Sequence, residues 1–296
     1  KDVENGQLPT VSWLIPSARF SDHPAQPWYG SWFTSEILDI LTKNPETWKK
    51  TIFILTYDEN DGYFDHIPPF TAPDPADKKT GRCSAGVNVS GAEYTYKENR
   101  IRDGISEKAA RSGPIGLGFR VPMIVASPWS RGGRVCSQVF DQTSILQFLE
   151  RFTNRKFGKP LQVTNLTNWR RTVCGDLTSV FREYKEGGSH QVNFLDRDGY
   201  VKKIYGAQFK ELPSNYKDLS EKEIREINEN PGASAFMPQQ EPGVRPSCAL
   251  PYELYADGQL SEDKQTLELT MEAGNKVFGS RSAGSPFKVY ASGEYV

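Results

Sequence analysis

Cysteine is scarce in this chain. Four residues, at 83, 136, 174 and 248, stand among 296, and none form a CxxC pair. A thiolate zinc site needs such close pairs, so none is expected. One disulfide, in an oxidising compartment, and four free thiols both remain open. No charge of either sign is in excess: 36 Lys and Arg face 37 Asp and Glu, a formal net charge of −1. Partners found by bulk electrostatics, such as nucleic acid or an anionic membrane surface, are therefore not expected. Long apolar runs are missing too. The longest, residues 51–57, is far short of the roughly 20 residues of a membrane-crossing helix. No repeat is present, and 12% aromatic residues exclude collagen, coiled coil and full disorder. Nor is there a P-loop, a GxGxxG, an HExxH or a GxSxG elbow. Ser127 and Ser130, at the end of an apolar run, are accordingly not read as hydrolase nucleophiles.

What is present suits one large or two ordinary domains. Residues 11–15 form a short apolar run before Pro16 and predict a buried strand. Residues 30–44 have helical spacing, with Phe33, Ile37, Leu38 and Leu41 on one face and Pro45 closing it. Residues 51–57 and 121–127 are β-branched and nearly all apolar, the pattern of strands covered on both faces in a parallel sheet. Asp141 to Ser144 offer N-cap residues for a helix lined by Ile145, Leu146, Phe148, Leu149 and Phe152, and Asp176 predicts a shorter helix reaching Tyr184. Residues 67–118 are a long Gly/Pro/Ser-rich excursion, of the kind that is functional or disordered. A charged helix is predicted over 220–228. Beyond Pro251 the period changes to two, around an Asp257-Gly258 turn, which predicts a small antiparallel β unit. The alternation of strand and helix argues for an α/β layered fold with a mostly parallel sheet. Three recognisable strands are few for such a sheet, and the segment from Lys1 to Pro9 reads as an interrupted linker, so the chain is expected to be a fragment or a processed product.

The sharpest chemistry lies in Tyr57-Asp58-Glu59-Asn60-Asp61-Gly62-Tyr63-Phe64-Asp65-His66, which starts where the strongest strand ends. Ligands of open α/β sheets bind outside the carboxyl ends of the strands. An acidic pair there, followed by Asp65 and His66, collects hard oxygen donors and one imidazole. That set suits a divalent metal and a phosphate or sulfate ester, with His66 steadying charge or moving a proton. A polar turn is the competing reading. An EF-hand loop is excluded, because Gly62 at its sixth position puts Tyr57 at the first and Pro68 at the twelfth. Two of the three histidines sit in similar contexts, Asp22-His23 and Asp65-His66, so His23 is a candidate to join His66, against the plainer reading of a surface histidine; His190 reads as a loop residue.

The stretch ILTYDENDGYFDHIPPF resembles the signature of the bacterial phosphocholine-type phospholipase C family, which includes relatives with acid phosphatase activity. The resemblance continues through LPTVSWLIPSARFSDHP, RVPMIVASPWSRGGRVCSQVFDQTSILQFLERF, NWRRTVCGDLTSVF and PQQEPGVRPSCALPYELYADGQ, nearly the whole chain. It implies an alkaline-phosphatase-like α/β core over 1–190, a connecting segment over 191–237 and the start of a small C-terminal β domain over 238–296. It implies one divalent metal ion, of unspecified identity, on Asp58 and Glu59. His23 and His66 match histidines lining the phosphoryl pocket, and Asp65 is expected to contact substrate. The implied reaction is attack of a protein hydroxyl on phosphorus, then hydrolysis of the phosphoenzyme by water. A phospholipid would give diacylglycerol and a phosphorylated head group, in a periplasmic or secreted setting. Family members carry a Glu-Asn metal pair and the Ser or Thr nucleophile ahead of the segment matched here, so this chain is expected to hold part of the site. FDQTS stands where the family reads FDHTS, so Gln142 replaces an imidazole. The rival readings are a phosphomonoesterase and a non-catalytic fragment with a binding or supporting role.

Overall fold

The computed structural model describes residues 1–23, 26–60, 68–87, 89, 92–185, 195–211, 217–235, 237 and 243–289. In chain order these form helix α1 (Pro27–Thr42), a single turn α2 (Pro45–Trp48), strands β1 (Phe53–Thr56) and β2 (Tyr94–Thr95), and helix α3 (Lys97–Arg102). Strands β3 (Gly113–Pro114) and β4 (Met123–Ala126) follow, then helices α4 (Gln142–Phe157), α5 (Asn168–Val173), α6 (Arg197–Ala207) and α7 (Glu221–Glu229), and strands β5 (Leu254–Leu260) and β6 (Leu267–Ala273). Among the described residues no helix is long and apolar enough to cross a membrane. The chain divides into two compact units, Lys1–Ile52 with Lys185–Arg245, and Phe53–Tyr184 with Pro246–Val296.

In the first unit, α1 begins at Pro27 rather than Gly30, because proline at the first helical position loses no hydrogen bond. Leu41 is buried on its inner face. At its start the Phe20 ring stacks on Trp32 at 5.5 Å and meets Tyr29 edge-on at 6.3 Å. Asn44 caps α2 by accepting from the amides of Glu46 and Thr47, while its own amide donates to the carbonyl of the buried Val3 at 2.8 Å. Helix α6 meets α1 through Arg197, which pairs with Glu36 at 2.5 Å and Asp39 at 3.1 Å. Helix α7 is the charged helix predicted, with a reciprocal cap between Ser220 and Glu223. The buried strand predicted at 11–15 is not formed. No described strand pairs with this segment, and Trp13 and Ile15 are 65% and 88% exposed.

In the second unit, β1 pairs with β4, and the pairing is antiparallel: Phe53 faces Ala126 and Thr56 faces Met123. The mostly parallel sheet predicted from the apolar runs is thus corrected. Ile124 is 57% exposed, so continuous hydrophobicity marks here a two-stranded ribbon rather than a strand buried on both faces. The excursion between them carries a second small ribbon, β2 with β3. Helix α4 matches its prediction. Asp141 and Ser144 form its reciprocal cap, and Gly158 closes it at φ +65°, a left-handed position suited to glycine. The helix predicted from Asp176 to Tyr184 shrinks to a three-residue 3₁₀ turn, whose Thr178 amide and hydroxyl both donate to Asp176.

The core of this unit gathers Ala72, Trp169, Val173 and Cys174, with Phe70, Leu117 and Val139 packed against them. Beside it Arg170 holds two carboxylates, Glu93 at 3.0 Å through Nε and Asp141 at 2.6 Å, and donates to the Gly116 carbonyl at 2.9 Å. Thr167 adds a hydroxyl donor to Glu93 at 2.5 Å. Glu93 is only 1% exposed, so its charge depends on these partners.

The period-two region forms the antiparallel pair β5 and β6, which together carry the predicted β unit. The turn sits elsewhere than predicted: Asp257 and Gly258 lie within β5, and the chain reverses at 261–266, where Lys264 adopts φ +57°. Glu253 anchors the end of this hairpin by accepting from the amides of Lys276, Val277 and Phe278. Of the rest of the period-two region beyond Pro251, 277–278 and 287–289 form no strand, and Tyr290 lies outside the described residues.

Candidate active site

Strand β1 ends at Thr56 and the chain bends at Asp58 and Glu59, both exposed. The Glu59 amide donates to Asp58 Oδ1 at 3.1 Å, a local bond at the bend. The helix that follows β4 supplies the other half of the arrangement. Gln142, the first residue of α4, donates through Nε2 to the Tyr57 carbonyl at 3.2 Å and to the Asp58 carbonyl. The end of α4 that carries Gln142 is itself fixed. Asp141 accepts from Thr143 Oγ1 at 2.6 Å and from Arg170, and the Asp141 amide donates to Ser144 Oγ at 3.1 Å. The bend bearing Asp58 is therefore tied through Gln142 and Asp141 to the buried Arg170–Glu93 pair.

Among the described residues neither Asp58 nor Glu59 has an ion-pair partner. Two adjacent carboxylates without a cation repel each other, an arrangement that a bound cation relieves. The donor set is hard oxygen, which fits a divalent metal of the Mg, Ca or Mn class. It offers two side chains, fewer than such an ion takes in full, and among the described residues no group of three or more His, Cys, Asp and Glu is close enough to hold one. Asp65 and His66, along with His190, lie outside the described residues. His23 is an exposed turn residue of the first unit, following the short 3₁₀ turn Ala18–Phe20.

Ser127 and Ser130 are occupied structurally. Their hydroxyls lie 2.9 Å apart, Ser127 Oγ accepts from the amides of Trp129 and Ser130, and Ser130 Oγ donates to the Val125 carbonyl at 2.8 Å. Gln142 is the residue whose role sequence reasoning missed. The sequence marks it only as standing in place of an imidazole, whereas its amide holds backbone carbonyls.

A family model described as Phosphoesterase family matches residues 1–154, over half of the chain. The chain belongs to the phosphoesterase family. Among curated phosphoesterase relatives, the chain is 37% identical over 294 residues to a protein named non-hemolytic phospholipase C from Burkholderia pseudomallei, an alignment covering 98% of this chain and 36% of that protein. It is 38% identical over 277 residues to hemolytic phospholipase C of Pseudomonas aeruginosa, covering 92% and 33%. It is 42% identical over 181 residues to phospholipase C A of Mycobacterium tuberculosis, covering 61% and 31%. The chain thus spans about a third of the length of these phosphoesterases.

Proposed function

We propose that the chain is part of a phospholipase C-type phosphoesterase and supplies the Asp58–Glu59 half of a divalent-metal centre. The observation that carries this reading is the acidic pair at the carboxyl end of β1, free of ion pairs among the described residues and fastened from behind by Gln142. The names of the relatives, all phospholipases C, supply the reaction class. The bound metal would neutralise charge on the phosphoryl oxygens. Asp58 and Glu59 hold and orient it. His23 and His66 line the phosphoryl pocket, where an imidazole can donate to a phosphoryl oxygen or hand a proton to the leaving alkoxide, and Asp65 contacts the substrate. Cleavage on the glycerol side of a phospholipid would release diacylglycerol and a phosphorylated head group. The substrate is a lipid phosphodiester, the centre takes one metal ion, and the setting is periplasmic or secreted. The chain's α/β elements belong to an alkaline-phosphatase-like layered core over 1–190, with 238–296 as the appended β domain.

The test joins this chain to the amino-terminal segment of the Pseudomonas aeruginosa relative and measures release of p-nitrophenol from p-nitrophenyl-phosphocholine and p-nitrophenyl phosphate, with and without divalent metal. Metal-dependent turnover of the diester that Asp58→Asn reduces at least ~100-fold is expected. Diester turnover unchanged by that substitution would overturn the assignment.

A further inference from the structure

Two of the four cysteines, 112 positions apart in sequence, each directly follow one member of a bridged pair. Val135 and Ser247 face each other in a parallel bridge. The Val135 amide donates to the Pro246 carbonyl at 3.0 Å, and the Cys248 amide donates to the Val135 carbonyl at 2.8 Å. Arg134 fastens the same crossing by donating to the Ser247 carbonyl at 2.6 Å. In parallel pairing, residues one step on from a paired couple project to the same side, and here the pairing is a single bridge. Cys136 follows Val135, and Cys248 follows Ser247. Neighbouring strands lie about 4.8 Å apart, inside the roughly 4.4–6.8 Å between Cα atoms that a disulfide accepts.

The other two thiols are set apart by their surroundings. Cys174 is 2% exposed within the core cluster, and burial pushes its thiol well up, away from the thiolate that disulfide exchange needs. Burial also pushes the Cys83 thiol up. Cys136 and Cys248 are both half-buried, so an exchanging reagent can reach them. All four are free thiols in this structure, with Cys136 Sγ 3.4 Å from Ser179 Oγ.

We propose that Cys136 and Cys248 form an oxidative cross-link site that staples the segment leading into the β5–β6 hairpin to the chain that follows β4. The oxidant is a disulfide of low molecular weight or of a thiol–disulfide exchange protein. One of the two cysteine thiolates attacks a sulfur of that disulfide, expelling one thiol and forming a mixed disulfide. The second thiolate attacks the protein sulfur of the mixed disulfide, forming the Cys136–Cys248 bond and releasing the second thiol. Two protein thiols are oxidised, one disulfide is reduced, and the two thiol protons end on the released thiols. The link closes a loop of about 110 residues, a length at which a cross-link strongly restrains the unfolded chain.

The test incubates the folded 296-residue chain in oxidised and reduced glutathione, then maps cross-linked peptides by mass spectrometry and follows thermal unfolding. The expected result is a Cys136–Cys248 peptide pair and a melting temperature roughly 5–10 °C above the reduced chain, both absent in Cys136→Ser and Cys248→Ser and retained in Cys83→Ser. Comparison of oxidised with reduced wild type needs no variant to fold. A Cys136–Cys174 pair, glutathione adducts without an internal link, or four thiols still free after oxidation would each overturn the proposal.

Discussion

Two groups of carboxylates in the second unit contrast sharply. Glu93 and Asp141 are drawn onto one guanidinium, that of Arg170, with Glu93 almost fully buried. Asp58 and Glu59 sit in the open, with no cation beside them among the described residues. The first group balances its charge within the fold. The second has no such partner among the described residues. The two are connected, since Asp141 caps the helix whose first residue, Gln142, holds the bend carrying Asp58. The buried group thus serves as the footing for the exposed one.

Breaking the footing has the largest expected effect. Arg170→Ala strips Glu93 and Asp141 of their cation and leaves Glu93 buried and uncompensated. Such a change costs about 3–5 kcal/mol, to be read as a lower urea midpoint. Loss of less than about 1 kcal/mol would mean that the pairs contribute little and that the contrast is only one of exposure.

Cutting the connection is milder. Gln142→Ala removes two exposed hydrogen bonds, which should change stability by no more than about 1 kcal/mol. It should weaken divalent-metal uptake several-fold, because the Tyr57–Asp58 carbonyls lose their tether. Equal metal affinity would show that the bend holds its shape without Gln142.

The smallest effect comes from a half-buried carboxylate that is paired within the fold, an intermediate case. In α7, Lys217 and then the Ser220 amide and hydroxyl hold the Glu223 carboxyl down to about 2 from its usual 4.5. A carboxyl lowered on folding stabilises the folded state above its unfolded value, and that contribution fades as pH falls. Helicity of this segment should therefore decline between about pH 4.5 and 2, and Lys217→Met should reduce the decline. An unchanged acid profile in that variant would remove Lys217 as the cause.

The same contrast explains what the sequence could reveal. Helices α4 and α7 were legible because their caps are local: Asp141 with Ser144 and Ser220 with Glu223 lie three residues apart. Strands β1 and β4 were both legible as apolar runs, but their antiparallel pairing was not, since apolarity carries no direction. Helix α5 escaped notice because Trp169 and Val173, its buried residues, show too little of a period in six residues. The period-two pattern found the β5–β6 hairpin yet misplaced its turn, because Asp257-Gly258 has the composition of a turn while lying inside a strand. At the site, the acidic pair was legible from its place after an apolar run. The tether was not, since Gln142 and Asp58 meet only through the pairing of β1 with β4 and the chain that follows.

The central claim is that Asp58 and Glu59 await a cation. The direct measurement is a titration of the 296-residue chain with Mn²⁺, following the free-ion signal by electron paramagnetic resonance, for wild type and for Asp58→Asn combined with Glu59→Gln. The account predicts saturable uptake by wild type, with Kd of roughly 10⁻⁴–10⁻³ M for an incomplete oxygen site, and at least ~10-fold weaker uptake by the variant at unchanged stability. Equal uptake by the two proteins, or none by wild type, would contradict it.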